Sequence, residues 1–230
     1  MTTINVEKHV QEQQQTQLKS RGISRGGVDE LMVNCRLPAP ISSSFCASQQ
    51  TSLKFVDASF QNCCIRGTRE WDVEDSNGNL LFKVGTGRVQ LPAQQGQRPV
   101  LVTMELKSVY KMKWKVYRGQ KPYTEDDLLF TVARPRGQRR GTYNICMRGN
   151  EDADFTLIFD SPNYYPSWFA ISHRGHIRAV AKETIHLCEP DEAMVTVSKG
   201  MDMAFVTSVF YMAFNHAERK RQNSNTYIPM

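Results

Sequence analysis

A chain of 230 residues fits one large domain or two small ones and is long enough to bury a sizeable core. Its 40% hydrophobic and 10% aromatic content is ordinary for a folded soluble protein. A formal net charge of +6 favours acidic partners, meaning nucleic acid or an anionic membrane surface, but only weakly. The N-terminal residues lack the apolar stretch of a secretory signal, Thr2 excludes the usual myristoylation signal, and no prenylation box or Asn-x-Ser/Thr sequon occurs. The six cysteines are therefore expected to be reduced thiols in a cytoplasmic protein, with a peripheral membrane position or a nuclear one left open.

In chain order, residues 1–27 are Gln-rich and offer little apolar surface to offset ordering entropy, which predicts a disordered leader. A short amphipathic helix over Val6 to Leu18 is the alternative. From Val28 the pattern turns to strands. Leu31 to Val33 opens it, Pro38 and Pro40 break it, and Leu53 to Val56 resumes it. Trp71 to Asp75 runs through Asn77-Gly78, a strong hairpin signal, into Leu80 to Val84. Val89 to Leu91 and Val100 to Leu106 flank a Gln-Gln-Gly turn. Lys111 to Val116 alternates strictly, with Lys111, Lys113 and Lys115 to one side and Met112, Trp114 and Val116 to the other, as a half-buried antiparallel strand does. Leu128 to Val132, Phe155 to Phe159, Trp168 to Ser172, Ile177 to Ala181 and Met194 to Val197 complete the set.

The last regular element is of another kind. From Met201 to Phe214 the chain is apolar at every helical period, with only Thr207, Ser208 and Tyr211 interrupting it. Ala204, Phe205, Val209, Phe210, Met212 and Phe214 leave no polar face, so the helix must be enclosed by protein or by lipid. It is shorter than the ~20 residues of a bilayer span, which predicts a helix surrounded by its own protein, with Asp202 as N-cap. About ten short strands at regular spacing argue for a sandwich or barrel, and one apolar helix at their end argues for a barrel closed around it. The expected domain is 28–219, followed by a polar basic tail at 220–230. Two strand-turn-strand blocks, 69–106 and 110–181, hint at an internal repeat.

Several stretches in order carry a resemblance. They are Phe45 to Ala47, Trp71 to Val84, Leu101 to Gly119, Leu128 to Arg134, Arg178 to Glu183 and Val195 to Phe210. Trp114 stands five residues before Gly119, and Gly200 and Asp202 form the entry to the terminal helix. The set resembles the LURP-one-related family of plants over residues ~30 to ~216. That family is similar in fold to the tubby C-terminal domain and to phospholipid scramblases. The resemblance implies a mainly β fold, a closed antiparallel barrel of about twelve strands around a central hydrophobic C-terminal helix. It loosely implies a membrane-tethered, defence-related regulator. Ile185 to Ala193 and Tyr164 to Pro166 depart from the family pattern.

Charge is the main functional signal. Residues 101–148 hold eleven Lys and Arg against four Asp and Glu, a local +7 that leaves the remainder at −1. Lys111, Lys113 and Lys115 share one strand face, and Arg134, Arg136, Arg139 and Arg140 sit in a Pro/Gly loop. Arginine matches phosphate with two parallel hydrogen bonds, whereas lysine acts as a point charge. A solvated face that discourages edge pairing is the plain alternative. Anionic lipid is the expected partner, with nucleic acid second: Trp114 alternates inward, leaving Tyr117 and Tyr123 as the stacking candidates.

The remaining signals are weak. His173, His176, His186 and Cys188 do not make two clear ligand pairs for zinc. Cys63 and Cys64 read as buried thiols or, by the scramblase resemblance, as acylation sites. Glu125 to Asp127 lacks the spacing of a calcium loop. No phosphate loop, nucleophile elbow or His-Glu-x-x-His motif occurs. The reading is a non-enzymatic binding module without metal or cofactor, docking on phosphoinositide or other anionic lipid. The alternatives are a scramblase-like lipid handler and a nucleic-acid-associated regulator, and no protein partner is indicated.

Overall fold

The computed structural model describes residues 37, 39–59, 69–108, 113–135, 141–160, 168–186 and 190–225. The leader, the expected strand at Leu31 to Val33, Cys63, Cys64, Lys111, Arg136, Arg139, Arg140, Tyr164 to Pro166 and Cys188 lie outside them. Twelve strands follow one another: β1 (Thr51–Asp57), β2 (Trp71–Glu74), β3 (Leu80–Gly85), β4 (Arg88–Gln90), β5 (Val100–Ser108) and β6 (Lys113–Arg118), then β7 (Leu128–Ala133), β8 (Thr142–Met147), β9 (Phe155–Asp160), β10 (Trp168–His173), β11 (His176–Thr184) and β12 (Glu192–Val197). Each pairs antiparallel with its neighbours in sequence, and β1 pairs with β12 to close the barrel. The helix α1 (Met203–Asn225) follows.

The strands form where alternation predicts them, because one side chain in two must face the interior. In β1, Leu53 and Phe55 point inward and are fully buried while Ser52 is exposed. One strand goes beyond the sequence reading. β8 buries only Tyr143 and Ile145, a signal too short to separate from the Pro/Gly-rich loop before it. Closure leaves β6 paired on both sides, so a solvated lysine face there has no edge to protect.

Twelve strands enclose a bore wider than strand side chains alone can fill, since about eight is the number at which they suffice. α1 fills it. Phe205, Val206, Val209, Phe210, Met212 and Ala213 have no exposed surface. Phe205 meets Phe130 and Phe155 at centroid distances of 5.1 and 4.9 Å. Nine residues on, Phe214 meets Phe55, Trp71 and Phe169 at 5.2 to 5.5 Å. The Tyr211 hydroxyl accepts from the Gly87 N–H at 3.2 Å. Gly87 has φ 75°, and a Cβ there would lie 2.7 Å from the Met104 carbonyl oxygen, so the tight β3–β4 turn requires glycine.

Asp202 sets where the helix begins. One carboxylate oxygen accepts from the Ala204 and Phe205 N–H groups at 3.0 and 3.1 Å, the N-cap arrangement. The other accepts from the Ile41 and Ser42 N–H groups at 2.8 and 3.0 Å. Burial pushes this carboxyl above its ordinary range, while the four N–H donors pull the other way. Only the ionised form can serve all four, since a protonated oxygen would turn a hydrogen on two donors. The helix runs to Asn225, into the segment read as a tail.

Two outcomes test this core by urea denaturation. Phe210→Ala is expected to cost about 3–5 kcal/mol, the range for deleting a buried aromatic ring. Asp202→Asn turns an amide NH2 on two of the four donors and is expected to cost about 1–3 kcal/mol.

Candidate functional site

The up-and-down order gives the barrel two poles. Odd-numbered strands run toward the pole where α1 leaves the barrel, the exit pole, and even-numbered strands run back to the entry pole beside Asp202. Lys113 opens β6 and Arg134 follows β7, both at the exit pole and on adjacent strands that pair at Trp114 and Val132. Both side chains are exposed. Among the described residues neither takes part in an ion pair. Arg134 lies close enough to Tyr143 to oppose the burial that raises the phenol pKa. The Tyr143 hydroxyl is hydrogen-bonded to His216 Nε2 of α1 at 3.3 Å.

Four other basic residues of this stretch are ion-paired. Lys115 Nζ donates to Glu125 Oε1 at 3.1 Å, which raises the lysine pKa, and its side chain is only 27% exposed. Glu105, on β5 opposite Lys115, pairs with Lys107 and with Lys121, and those hydrogen bonds hold its carboxyl below the usual range. Arg148 pairs with Asp126. Of the lysines that read in sequence as one free row, Lys115 is thus committed to an acid, and open positive charge is left at the exit-pole rim with Lys113 and Arg134.

The other candidates resolve into structure. Glu125 to Asp127 form a capped 3-10 turn in which Asp127 accepts from the Thr124 N–H at 2.7 Å. Tyr117 is buried and stacks on Tyr123 at 4.0 Å, so its face is closed to a nucleobase. Trp114 is buried inside the barrel. His173 is buried at the end of β10, hydrogen-bonded to the Asp154 carbonyl at 2.8 Å. Among the described residues no group of three His, Cys, Asp or Glu is arranged to hold a metal ion.

One cluster was missed. At the exit pole the Arg69 guanidinium pairs with Asp57 of β1 at 3.7 Å, Glu183 of β11 at 3.4 Å, Asp191 before β12, and Glu218 of α1 at 3.5 Å. It also lies 5.7 Å over the Trp71 ring. Glu183 has no exposed surface. A signal existed: Leu53-x-Phe55-x-Asp57 and Ala179-x-Ala181-x-Glu183 each carry a carboxylate at an inward position of a period-two strand. An acid in core register needs a cation, but nothing local to either strand names Arg69.

A closed twelve-stranded barrel threaded by an apolar helix, with its charge on the outer rim, defines the class as a solid-cored β-barrel domain. The chain belongs to the LURP-one-related family, whose sequence model matches residues 64–213. No curated protein and no solved structure matches the chain.

Arg69→Met tests the cluster. Removing one partner of a buried ion pair strands the others, which is expected to cost about 3–5 kcal/mol. Arg148→Met, at an exposed pair, is expected to cost under ~1 kcal/mol. Equal losses in urea denaturation would show that the Arg69 cluster is a surface feature.

Proposed function

We propose that this protein is a non-enzymatic regulatory module that docks on anionic phospholipid, phosphoinositides included. The observation that carries the reading is the helix in the bore. Because α1 fills the barrel axis, recognition belongs to the outside, and the outside carries a local +7 over residues 101–148. Lys113 and Arg134 are the described members of that charge left open at the rim. Lys111, Arg136, Arg139 and Arg140 join them as proposed contacts because the sequence puts them in the connections that follow β5 and β7. Lys115 contributes least, being committed to Glu125.

The family and the tubby-like barrel are compatible with such a module. No helix among the described residues is long and apolar enough to cross a membrane, which fits tethering at a surface by charge. Near an anionic leaflet each basic residue contributes ~1 kcal/mol, falling off within a Debye length. The six residues named here together contribute about 6 kcal/mol toward docking, without an inserted wedge.

Co-sedimentation with liposomes tests the reading. Wild-type protein is expected to pellet with phosphoinositide liposomes at low salt, to release steeply toward physiological salt, and to ignore neutral liposomes. Changing Arg136, Arg139 and Arg140 together to Gln is expected to weaken binding at least tenfold. A wild-type protein that ignores anionic liposomes at low salt sinks the proposal, and a shift of single-stranded RNA in the same buffer would put nucleic acid in its place.

A further inference from the structure

Half-buried lysines on the outer wall come with an acid, save in one place. Four of the described lysines are half-buried: Lys54, Lys83, Lys115 and Lys182. Lys54 pairs with Glu192 at 2.7 Å, Lys83 with Asp72, and Lys115 with Glu125 at 3.1 Å. Lys182 has no acid among the described residues. A partly covered ammonium gives up some of its water and ordinarily gains a counter-charge for it.

Its neighbours on the wall are apolar. β11 alternates, with Ala179, Ala181 and Glu183 inward and Val180 and Lys182 outward. The register sets Lys182 between Trp168 of β10 and Met194 of β12. Met194 is 51% exposed, the one exposed large hydrophobic side chain among the described residues. Val180, opposite Thr196, and Val56, opposite Glu192, stand on its diagonals and are half-buried. Trp168 is half-buried as well, whereas Trp71 and Trp114 are buried in the barrel. Three adjacent strands thus present an indole, an unmatched ammonium and a thioether in one row.

We propose that this strip docks an acidic, apolar peptide segment of another protein. An aliphatic or aromatic side chain of the segment packs against Trp168 and Met194, and a neighbouring Asp or Glu carboxylate accepts from Lys182 Nζ. Methionine suits such a contact because its flexible, polarizable chain adapts to the shape it meets. β11 and β12 are paired on both sides, so the segment binds by side chains and not by adding a strand. A bilayer fits this place poorly, because one unmatched cation offers only about 1 kcal/mol toward a charged plane. A peptide sets one carboxylate at one point, where a charged hydrogen bond is strongest. A second copy also fits poorly, since a two-fold contact centred on Met194 sets Lys182 against another lysine. β11 and β12 lie across the barrel from β5 and β6 in the closed strand order. The strip is therefore separate from the rim proposed to meet lipid and does not depend on it.

A library of random short peptides displayed on phage is the probe. It is selected on the full chain and counter-selected on a variant carrying Lys182→Gln and Met194→Ala, which circular dichroism shows to be folded. Enriched peptides are expected to carry Asp or Glu beside an aliphatic or aromatic residue. As synthetic peptides they are expected to shield tryptophan fluorescence from acrylamide, a signal that belongs to Trp168 because the other two indoles are buried. Lys182→Gln is expected to weaken binding about tenfold, the worth of a hydrogen bond to a charged group. Met194→Ala is expected to weaken it about threefold, and Lys199→Gln, which removes an equal charge elsewhere, less than about twofold. Failure to enrich, enriched peptides without acidic residues, or an equal loss from Lys199→Gln would overturn the site. Self-association of the wild-type chain that Met194→Ala abolishes in velocity sedimentation would overturn it in favour of a second copy. Binding to phosphatidylserine vesicles that Lys182→Gln and Met194→Ala abolish would overturn it in favour of a bilayer.

Discussion

An apolar helix cannot stand in water, and a twelve-stranded barrel cannot close on an empty bore. Each problem solves the other here. Phe205 and Phe214 carry the helix's apolar surface to two levels of the wall, and the rings they meet come from β1, β2, β7, β9 and β10. Burial of this kind is the main favourable term in folding. It is also non-directional, so something else must set how far the helix slides along the axis. Asp202 does so at one end, because its four N–H partners tie the first turn to the segment at Ile41 and Ser42. Arg69 does so at the other, where it joins Glu218 of the helix to carboxylates of the wall.

These two polar fixtures differ in physical kind. Asp202 is a single buried acid satisfied by backbone donors, which are present in any chain that folds this way. The Arg69 cluster needs five side chains brought from five places in the sequence. It surrounds one cation with four acids, so it is a weak stabiliser but an exacting one. Hydrophobic residues of the same volume could replace it at little cost, whereas loss of the arginine alone strands the acids. Its worth lies in specifying one position of the helix against the rim.

The same topology shapes the outer surface. A strictly sequential meander sends every second connection to the same pole, so residues far apart along the chain meet at one rim. Along the wall between the poles, Lys107, Lys115 and Lys121 answer Glu105 and Glu125. Charges committed to a partner in this way add little to a field felt at a distance. At the exit-pole rim, Lys113 and Arg134 take part in no ion pair among the described residues.

How much of this was legible depends on range. The apolar run to Phe214, the alternation of Lys111 to Val116 and the Asn77-Gly78 turn are patterns written within a few residues, and each declares a helix, a strand or a hairpin by its own period. The barrel around a helix follows from them, because no other architecture encloses an all-round apolar helix with strands. β8 escaped because two inward residues are too few to establish a period. The Arg69 cluster escaped because its members, Asp57 to Glu218, are as much as 161 residues apart in sequence, and only closure of β1 on β12 brings them together. The pairing of Lys115 with Glu125 was likewise invisible, since they stand ten positions apart across the end of β6 and the turn after it, and the β6–β7 register decides their distance. Residue type and local period determined the elements and the fold class by themselves. The tertiary structure alone decided which charges are spent and which are free, because electrostatic partnership is a matter of a few ångströms that sequence order does not encode.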